Sequence, residues 1–143
     1  MRNGVRKAVM AVIVNHDNKV LIGSSPRDGG YKFPQGGLEP NEDIISGIKR
    51  ELKEELSVII TEHDIIQTYT EKVSYIYPED DYYIFEGQEL HIVKVQYNQK
   101  MQLIPQDEEF DELVWISPQE LGAYNTYFRA EAYKMALKIC GLL

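Results

Sequence analysis

Three glutamates, Glu51, Glu54 and Glu55, lie within five residues of one another. On an α-helix, residues three and four apart are neighbours, so these three carboxylates would share one helical face. Arg50 and Lys53 relieve the repulsion between them only in part. A solvated acidic face is the common explanation for such a cluster. The alternative is a site for a hard cation such as Mg²⁺, which takes oxygen ligands and keeps part of its shell for water and substrate phosphates.

A glycine-bearing turn ahead of the glutamates favours the cation site. Residues 33–37 read Phe-Pro-Gln-Gly-Gly, and glycine lets a backbone approach a ligand closely. A helix is predicted after this turn, with Asn41 as its cap and with Glu42 and Asp43 in its first turn. Apolar residues then recur at helical spacing, at Ile45, Ile48, Leu52 and Leu56.

The rest of the chain predicts a mixed sheet and a second helix. Apolar runs rich in β-branched residues predict strands at residues 8–14, 19–23, 65–69, 89–97 and 113–116. Helical spacing predicts the second helix over residues 128–139. The 143 residues fit one domain, residues 1–143. We therefore expect an α/β fold in which a mixed β-sheet lies between helices.

Composition restricts the partners and the compartment. The net charge of −8 argues against broad affinity for nucleic acid, so no binding of duplex DNA is expected. No apolar run approaches the ~20 residues that span a membrane. Cys140 is the single cysteine, which excludes an internal disulfide and favours a reducing, cytoplasmic setting.

Residues 36–58 resemble the signature of the Nudix hydrolases. That signature is glycine, five residues, glutamate, seven residues, arginine-glutamate, an aliphatic residue, any residue, two glutamates, any residue, glycine and an aliphatic residue. The matching residues are Gly36, Glu42, Arg50, Glu51, Leu52, Glu54, Glu55 and Val58. Ser57 stands where the family usually has glycine. This departure affects the turn after the helix and removes no ligand.

The resemblance implies an α/β/α sandwich and a Mg²⁺-dependent enzyme, with Mn²⁺ as a substitute, that hydrolyses a phosphoanhydride bond. It assigns the metal to Glu51, Glu54 and Glu55, aided by the backbone carbonyl of Gly36 or Gly37.

The resemblance also implies a structural ion pair between Glu42 and Arg50. The general base is left open between Glu51 and Glu109. Glu109 is at the same time a candidate metal ligand, and Glu108 is its alternative in the acidic run of residues 107–109.

Beyond the signature, the chain is similar to bacterial RNA 5′ pyrophosphohydrolases and related dinucleoside polyphosphate hydrolases. Residues 31–37, Tyr-Lys-Phe-Pro-Gln-Gly-Gly, resemble Trp-Gln-Phe-Pro-Gln-Gly-Gly of that branch. Residues 109–111 resemble its Glu-Phe-Asp. The substrate contacts that this similarity implies are Arg6, Arg27, Tyr75, Phe128 and Arg129.

These five residues would divide the work of binding. Phe128 and Arg6 would stack on the two sides of a nucleobase, and Arg27 and Arg129 would contact phosphate. Tyr75 corresponds to a tyrosine near the RNA path. Each has an ordinary alternative, because Phe128 also suits the core and the arginines also suit the surface.

The predicted function is therefore hydrolysis of a nucleoside 5′ polyphosphate, either the 5′ end of triphosphorylated RNA or a dinucleoside polyphosphate. The acidic loop at residues 78–81 and the net charge favour the compact substrate. A non-catalytic Nudix-fold module that senses a nucleotide or binds a partner is the alternative, and the intact carboxylate set argues against it. An isoprenoid diphosphate isomerase would need a cysteine near the site, whereas Cys140 lies at the end of the last helix.

Overall fold

The computed structural model describes residues 2–80, 82–106 and 108–143; Asp81 of the acidic loop and Asp107 of the acidic run lie outside them. The strands are β1 (Asn3–Val14), β2 (Val20–Ser24), β3 (Tyr31–Lys32), β4 (Gln35–Gly37), β5 (Ile65–Ile76), β6 (Phe85–Gln96) and β7 (Glu112–Ile116). The α-helices are α1 (Ile44–Leu56) and α2 (Ala130–Ile139). Short 3₁₀ turns occupy Glu62–Asp64, Pro118–Ala123 and Tyr127–Arg129.

The sheet is mixed, as predicted. Its strand order is β3-β2-β1-β6-β5, with β4 also paired to β1 and β7 to β2. The central pair, β1 and β6, is parallel, and Ala8 lies opposite Leu90 in its register. The neighbouring pairs run antiparallel.

From Ala8 to Val14, strand β1 is buried on both faces because each face carries a helix. Side chains alternate along a strand, so Met10 and Val12 belong to the apolar cluster that includes α2. Ala11 and Ile13 belong to the cluster that includes α1. The predicted sandwich, with the sheet between helices, is confirmed.

Helix α1 begins later than predicted. The cap is Asp43, whose carboxylate accepts the Ser46 N–H at 2.7 Å. Asn41 is wrong as the cap because its φ of 65° places it in a left-handed turn before the helix. The apolar stripe also starts one residue earlier, since Ile44 rather than Ile45 packs against the α1 cluster.

The second helix also differs from its prediction. Tyr127 has a φ of 53°, a conformation that interrupts a right-handed helix. Phe128 therefore lies in a 3₁₀ turn, and α2 starts at Ala130. Tyr133 and Leu137 are fully buried on this helix, whereas Met135 is 50% exposed. Among the described residues, no helix is long and apolar enough to cross a membrane.

Ser57 ends α1 in the left-handed conformation, with φ 54° and ψ 32°. Its N–H donates to the carbonyls of Leu52 and Lys53. This is the conformation that glycine adopts at many helix ends without steric cost. Ser57 therefore adopts the left-handed conformation expected of glycine, although its Cβ makes that conformation less favourable.

We predict that Ser57→Gly raises the free energy of unfolding by about 0.5–1 kcal/mol, because it removes the left-handed strain of a residue with a Cβ. The melting temperature should rise by about 3 °C. Ser57→Ala is the control and should give no such gain, since alanine keeps the Cβ. Equal stability of the glycine and alanine variants would contradict the explanation.

Candidate active site

A cavity of about 790 Å³ opens beside the glycine turn and α1. The structure brings nine of the ten predicted site residues to its lining: Arg6, Arg27, Gly36, Glu51, Glu54, Glu55, Tyr75, Glu109 and Arg129. Phe128 is the predicted site residue that does not line it. Strands β1, β4 and β5, helix α1 and the loops around them converge on this cavity, which explains why residues so far apart in sequence meet there.

Glu51 and Glu55 form a buried acidic pair on the cavity wall. They are 7% and 3% exposed, and the Gln35 N–H donates to Glu55 Oε1 at 3.2 Å. Burial raises the pKa of Glu55 well above its ordinary value; Lys32 opposes the rise, and Glu51 adds to it. A Cβ at Gly36 would overlap the Glu51 carboxylate. Only glycine lets the β4 backbone lie this close to the pair.

Arg50 connects the glycine turn to the acidic helix. Its Nε and Nη2 atoms each donate to Glu42 at 2.8 Å, so the predicted ion pair is present. Nη2 also donates to the Gly37 carbonyl at 2.8 Å. Nη1 donates to Glu51 at 2.8 Å and to Glu54 at 3.3 Å. One guanidinium thus contacts the glycine turn and three of the four signature glutamates, Glu42, Glu51 and Glu54.

Glu109 belongs to a second group of ion pairs in the cavity lining. Arg27 donates to both of its carboxylate oxygens at 2.9 Å. Arg27 also pairs with Asp28 at 3.1 Å, and Asp28 accepts from Lys32 Nζ at 2.5 Å. Glu109 lines the cavity, whereas its neighbour Glu108, the alternative acid of the same run, does not.

The donor chemistry fits a divalent cation. Two buried carboxylates beside a glycine backbone offer the oxygen ligands that Mg²⁺ and Mn²⁺ take, and a cation there would relieve the repulsion between Glu51 and Glu55. Among the described residues, no three Asp, Glu, His or Cys side chains already form a metal-binding group. The other two candidate ligands form salt bridges instead. The Glu54 side chain is 57% exposed and pairs with Arg50, and Glu109 pairs with Arg27.

A buried polar network supports the cavity floor. Gln35 is its centre: its amide donates to the Tyr75 hydroxyl at 2.6 Å and accepts from the Tyr133 hydroxyl. Gln88 lies 3.5 Å from the Gln35 amide and donates to the Tyr77 hydroxyl. Tyr75, one of the predicted substrate residues, is 6% exposed and belongs to this network. The network fixes the backbone whose N–H binds Glu55.

Phe128 and Arg129 contact Tyr75 and the loop that carries Arg27. Phe128 packs edge-on against Tyr75, with ring centroids 5.4 Å apart, and the Arg129 guanidinium lies 4.4 Å from its ring centroid. Arg129 is 2% exposed and donates to the carbonyls of Asp28 and Gly29 at 3.2 Å. These contacts anchor the loop that carries Arg27, and they are structural contacts rather than those of a surface charge.

Arg6 lines the cavity next to the glycine turn. It crosses the Gly37 backbone so closely that a Cβ there would collide with it. Its guanidinium also lies 5.7 Å from the centre of the Phe85 ring. Cys140, by contrast, is buried in the α2 cluster and does not line the cavity.

Sequence reasoning missed several residues of the lining: Asp28, Lys32, Gln35, Tyr77, Tyr82, Phe85 and Gln88. Two had a signal in the sequence, because Lys32 and Gln35 flank the Phe-Pro of the glycine turn. The others come from β6, from the segment between β5 and β6, and from the loop before β3. In these segments the sequence shows mainly strand alternation and an acidic loop.

Comparison with known proteins agrees with this geometry. The NUDIX domain matches residues 4–137. The chain belongs to the Nudix family. Nudix proteins generally use divalent metal ions, and the prediction of a Nudix hydrolase is confirmed at the level of the family.

Three similar proteins illustrate the range of the family. An RNA pyrophosphohydrolase of Nitratiruptor is 29% identical, and the match covers 93% of this chain and 91% of that protein. The E. coli dihydroneopterin triphosphate pyrophosphohydrolase superposes with a TM-score of 0.76 at 14% identity, over 99% of both chains. The C. elegans Ap4A hydrolase gives 0.66 at 20% identity, over 96% of both chains. The two structural matches establish the shared fold.

We predict that the Glu42–Arg50 ion pair stabilises this Nudix domain near neutral pH and that this contribution is lost in acid. Arg50 lowers the pKa of Glu42 from 4.5 to about 2. A carboxylate with a depressed pKa stabilises the fold above its unfolded pKa, and that contribution is lost as the pH falls through the folded value. Parent protein should therefore exceed Glu42→Gln in free energy of unfolding at pH 6, and the difference should shrink towards pH 2.

The control is Glu39→Gln, which removes a more exposed carboxylate 3.5 Å from Arg50. Chemical denaturation at a series of pH values measures all three proteins. A difference between parent and Glu42→Gln that stays constant from pH 6 to pH 2 would contradict the assignment, as would an equal effect of Glu39→Gln.

Proposed function

We propose that this Nudix protein is a Mg²⁺-dependent pyrophosphohydrolase that cleaves a phosphoanhydride bond of a nucleoside 5′ polyphosphate. The observation that carries the proposal is the buried Glu51–Glu55 pair, packed against the Gly36 backbone on the wall of a nucleotide-sized cavity. Two buried carboxylates side by side destabilise a fold unless a cation compensates them. Their placement in a cavity is the arrangement expected of a metal site rather than of a solvated helix face.

The shape and the lining support a nucleotide substrate. A volume of about 790 Å³ lies within the range of small-molecule sites. The cavity lining includes the carboxylates of Glu51, Glu54 and Glu55, which suit a metal-bound polyphosphate. It also includes the aromatic residues Tyr77, Tyr83 and Phe85, and aromatic faces stack on nucleobases. This combination suits a molecule with a charged end and a flat apolar end.

The roles of the side chains follow from these positions. Glu51, Glu54 and Glu55 would bind the metal with the Gly36 carbonyl, and a bound Mg²⁺ neutralises phosphate charge and lowers the pKa of a coordinated water. Glu51 and Glu109 are the candidate bases, and both line the cavity. Arg6, with its guanidinium beside Phe85, would contact the nucleotide. Arg27 would contact phosphate when released from Glu109.

Two substrate classes share this chemistry, the 5′ end of triphosphorylated RNA and a dinucleoside polyphosphate. The sequence relatives named RNA pyrophosphohydrolase support the first. The net charge of −8 supports the second, since it provides little attraction for a long RNA body. A cytoplasmic location belongs to the same proposal, because both substrates are intracellular.

A non-catalytic nucleotide sensor is the competing proposal, and the buried acidic pair distinguishes the two. A sensor gains nothing from carboxylates that repel the phosphates of its ligand. An enzyme needs them to hold the metal.

We predict hydrolysis with Mg²⁺ when the protein is incubated with triphosphorylated RNA, diadenosine tetraphosphate and nucleoside triphosphates. Chromatographic identification of the products gives both the preferred substrate and the bond cleaved. Omission of the metal, with chelator present, should abolish turnover. Nucleotide binding without any product from the whole panel would favour the sensor.

We further predict that Glu55→Gln lowers kcat at least about 100-fold by removing a metal ligand. Calorimetric affinity for Mn²⁺ should fall at least about tenfold. Without metal, the variant should be as stable as the parent or more stable, since it removes one of two like charges from a buried pair. Glu71→Gln is the matched control, because Glu71 is exposed on β5 and does not line the cavity. Full activity of Glu55→Gln would overturn the metal assignment.

A further inference from the structure

Lys32 is a buried lysine that the proposed roles do not use. It is 6% exposed and lines the same cavity as Glu51 and Glu55. Lysine is seldom buried to this extent, because its ammonium loses hydration that only a partner can replace. Its position in the fold therefore needs a reason.

The short strand β3 directs Lys32 into the cavity. Successive side chains of a strand point to opposite faces, and the neighbouring Tyr31 packs the other way, against Tyr124 at 5.0 Å between ring centroids. Pairing of Lys32 with Gly23 on β2 fixes the register. Strand pairing thus fixes the backbone of Lys32, and the buried side chain carries its ammonium to Asp28.

Asp28 satisfies only part of this ammonium. Lys32 Nζ lies 2.5 Å from Asp28 Oδ2, and Asp28 is its only hydrogen-bond partner among the described residues. An ammonium has three donors. Asp28 is itself shared, because Arg27 donates to both of its oxygens at 3.1 and 3.2 Å. The buried ammonium therefore keeps donor capacity that no described residue uses.

The positive charge of Lys32 acts on the carboxylate of Glu55. Among the charged neighbours of Glu55, Lys32 has the largest effect and lowers its pKa against the effect of burial. Lys32 lines one cavity together with its partner Asp28 and the candidate metal ligands Glu51 and Glu55. A polyphosphate on a metal held by Glu51 and Glu55 would lie in that cavity.

We propose that Lys32 Nζ binds an oxygen of the substrate polyphosphate and is a phosphate-recognition residue of this enzyme, in addition to its ion pair with Asp28. This inference rests on the proposed function for the identity of the substrate. The chemistry is a compact cation that donates up to two further hydrogen bonds to a phosphate, and such charge-assisted bonds are among the stronger ones in proteins. In the similar RNA-hydrolase motif a neutral glutamine occupies this position, so the additional cation is a feature of this chain.

The test compares Lys32→Met, Lys32→Arg and the double variant Asp28→Asn/Lys32→Met. Affinity for inorganic tripolyphosphate with Ca²⁺ is measured by calorimetry, and kcat and KM are measured with Mg²⁺ and the substrate that the panel identifies. Lys32→Met should weaken tripolyphosphate binding about tenfold or more and lower kcat/KM at least as much. Lys32→Arg should recover most of the binding, because it restores the positive charge.

The double variant separates recognition of phosphate from neutralisation of Asp28. If Lys32 only compensates Asp28, removing both charges restores binding and activity, and the proposal is wrong. If Lys32 binds phosphate, the double variant stays as weak as Lys32→Met. It also provides a folded protein should Lys32→Met leave Asp28 insufficiently compensated. Circular dichroism and melting temperature verify the fold of each variant.

Lys72→Met is the matched control, since Lys72 pairs with Glu89 at 3.8 Å on the exposed side of β5. It should leave tripolyphosphate binding unchanged. If the parent binds tripolyphosphate but hydrolyses no substrate, the proposed function fails. The tripolyphosphate affinities of the variants then still test whether Lys32 binds phosphate. If the parent is active and Lys32→Met binds tripolyphosphate as tightly as the parent, only the inference on Lys32 fails.

Discussion

Arg50 makes the acidic helix compatible with a folded protein. Glu51 and Glu55 are buried beside each other, and burying like charges costs free energy that hydrogen bonds and counter-charges must offset. Arg50 does so from within the helix, where it binds Glu51 and Glu54 and at the same time ties Glu42 and the Gly37 carbonyl to α1. The glycine turn is consequently fixed against the carboxylates. Every other part of the site is positioned relative to this junction.

The carboxylates around the cavity pair with arginine and lysine side chains. Arg50 serves the α1 side, and Arg27 and Lys32 serve the loop that carries Asp28. Arg129 fixes that loop through backbone carbonyls, while Gln35 links β4 to the tyrosines beneath it. Two of the metal-ligand candidates, Glu54 and Glu109, are held by arginines in this arrangement. Binding of a metal and a substrate would therefore exchange partners within an existing network of ion pairs.

Local patterns predicted the elements better than their ends. The helix with its acidic face, the mixed sheet and the Glu42–Arg50 pair followed from spacing and motif. The cap moved from Asn41 to Asp43 because both are good capping types, and only the path of the chain decides which one is extended. The start of α2 moved because Tyr127 adopts a left-handed conformation, for which an aromatic residue carries no sequence signal. Strand β5 runs seven residues beyond its predicted end because pairing with β6 continues there, to Ile76.

The sequence by itself determined the chemical character of the acidic helix, since carboxylates at helical spacing and a glycine turn are local properties of one segment. Ser57 is consistent with this, because the turn after α1 keeps its left-handed form without glycine. Only the tertiary structure decided which residues surround that chemistry. Phe128 packs against Tyr75, and Arg129 donates to the carbonyls of Asp28 and Gly29. Lys32 lies in the cavity lining. Those outcomes depend on the parallel pairing of β1 with β6 and on the loops that cross the sheet, and long-range pairing leaves no trace in the spacing of neighbouring residues.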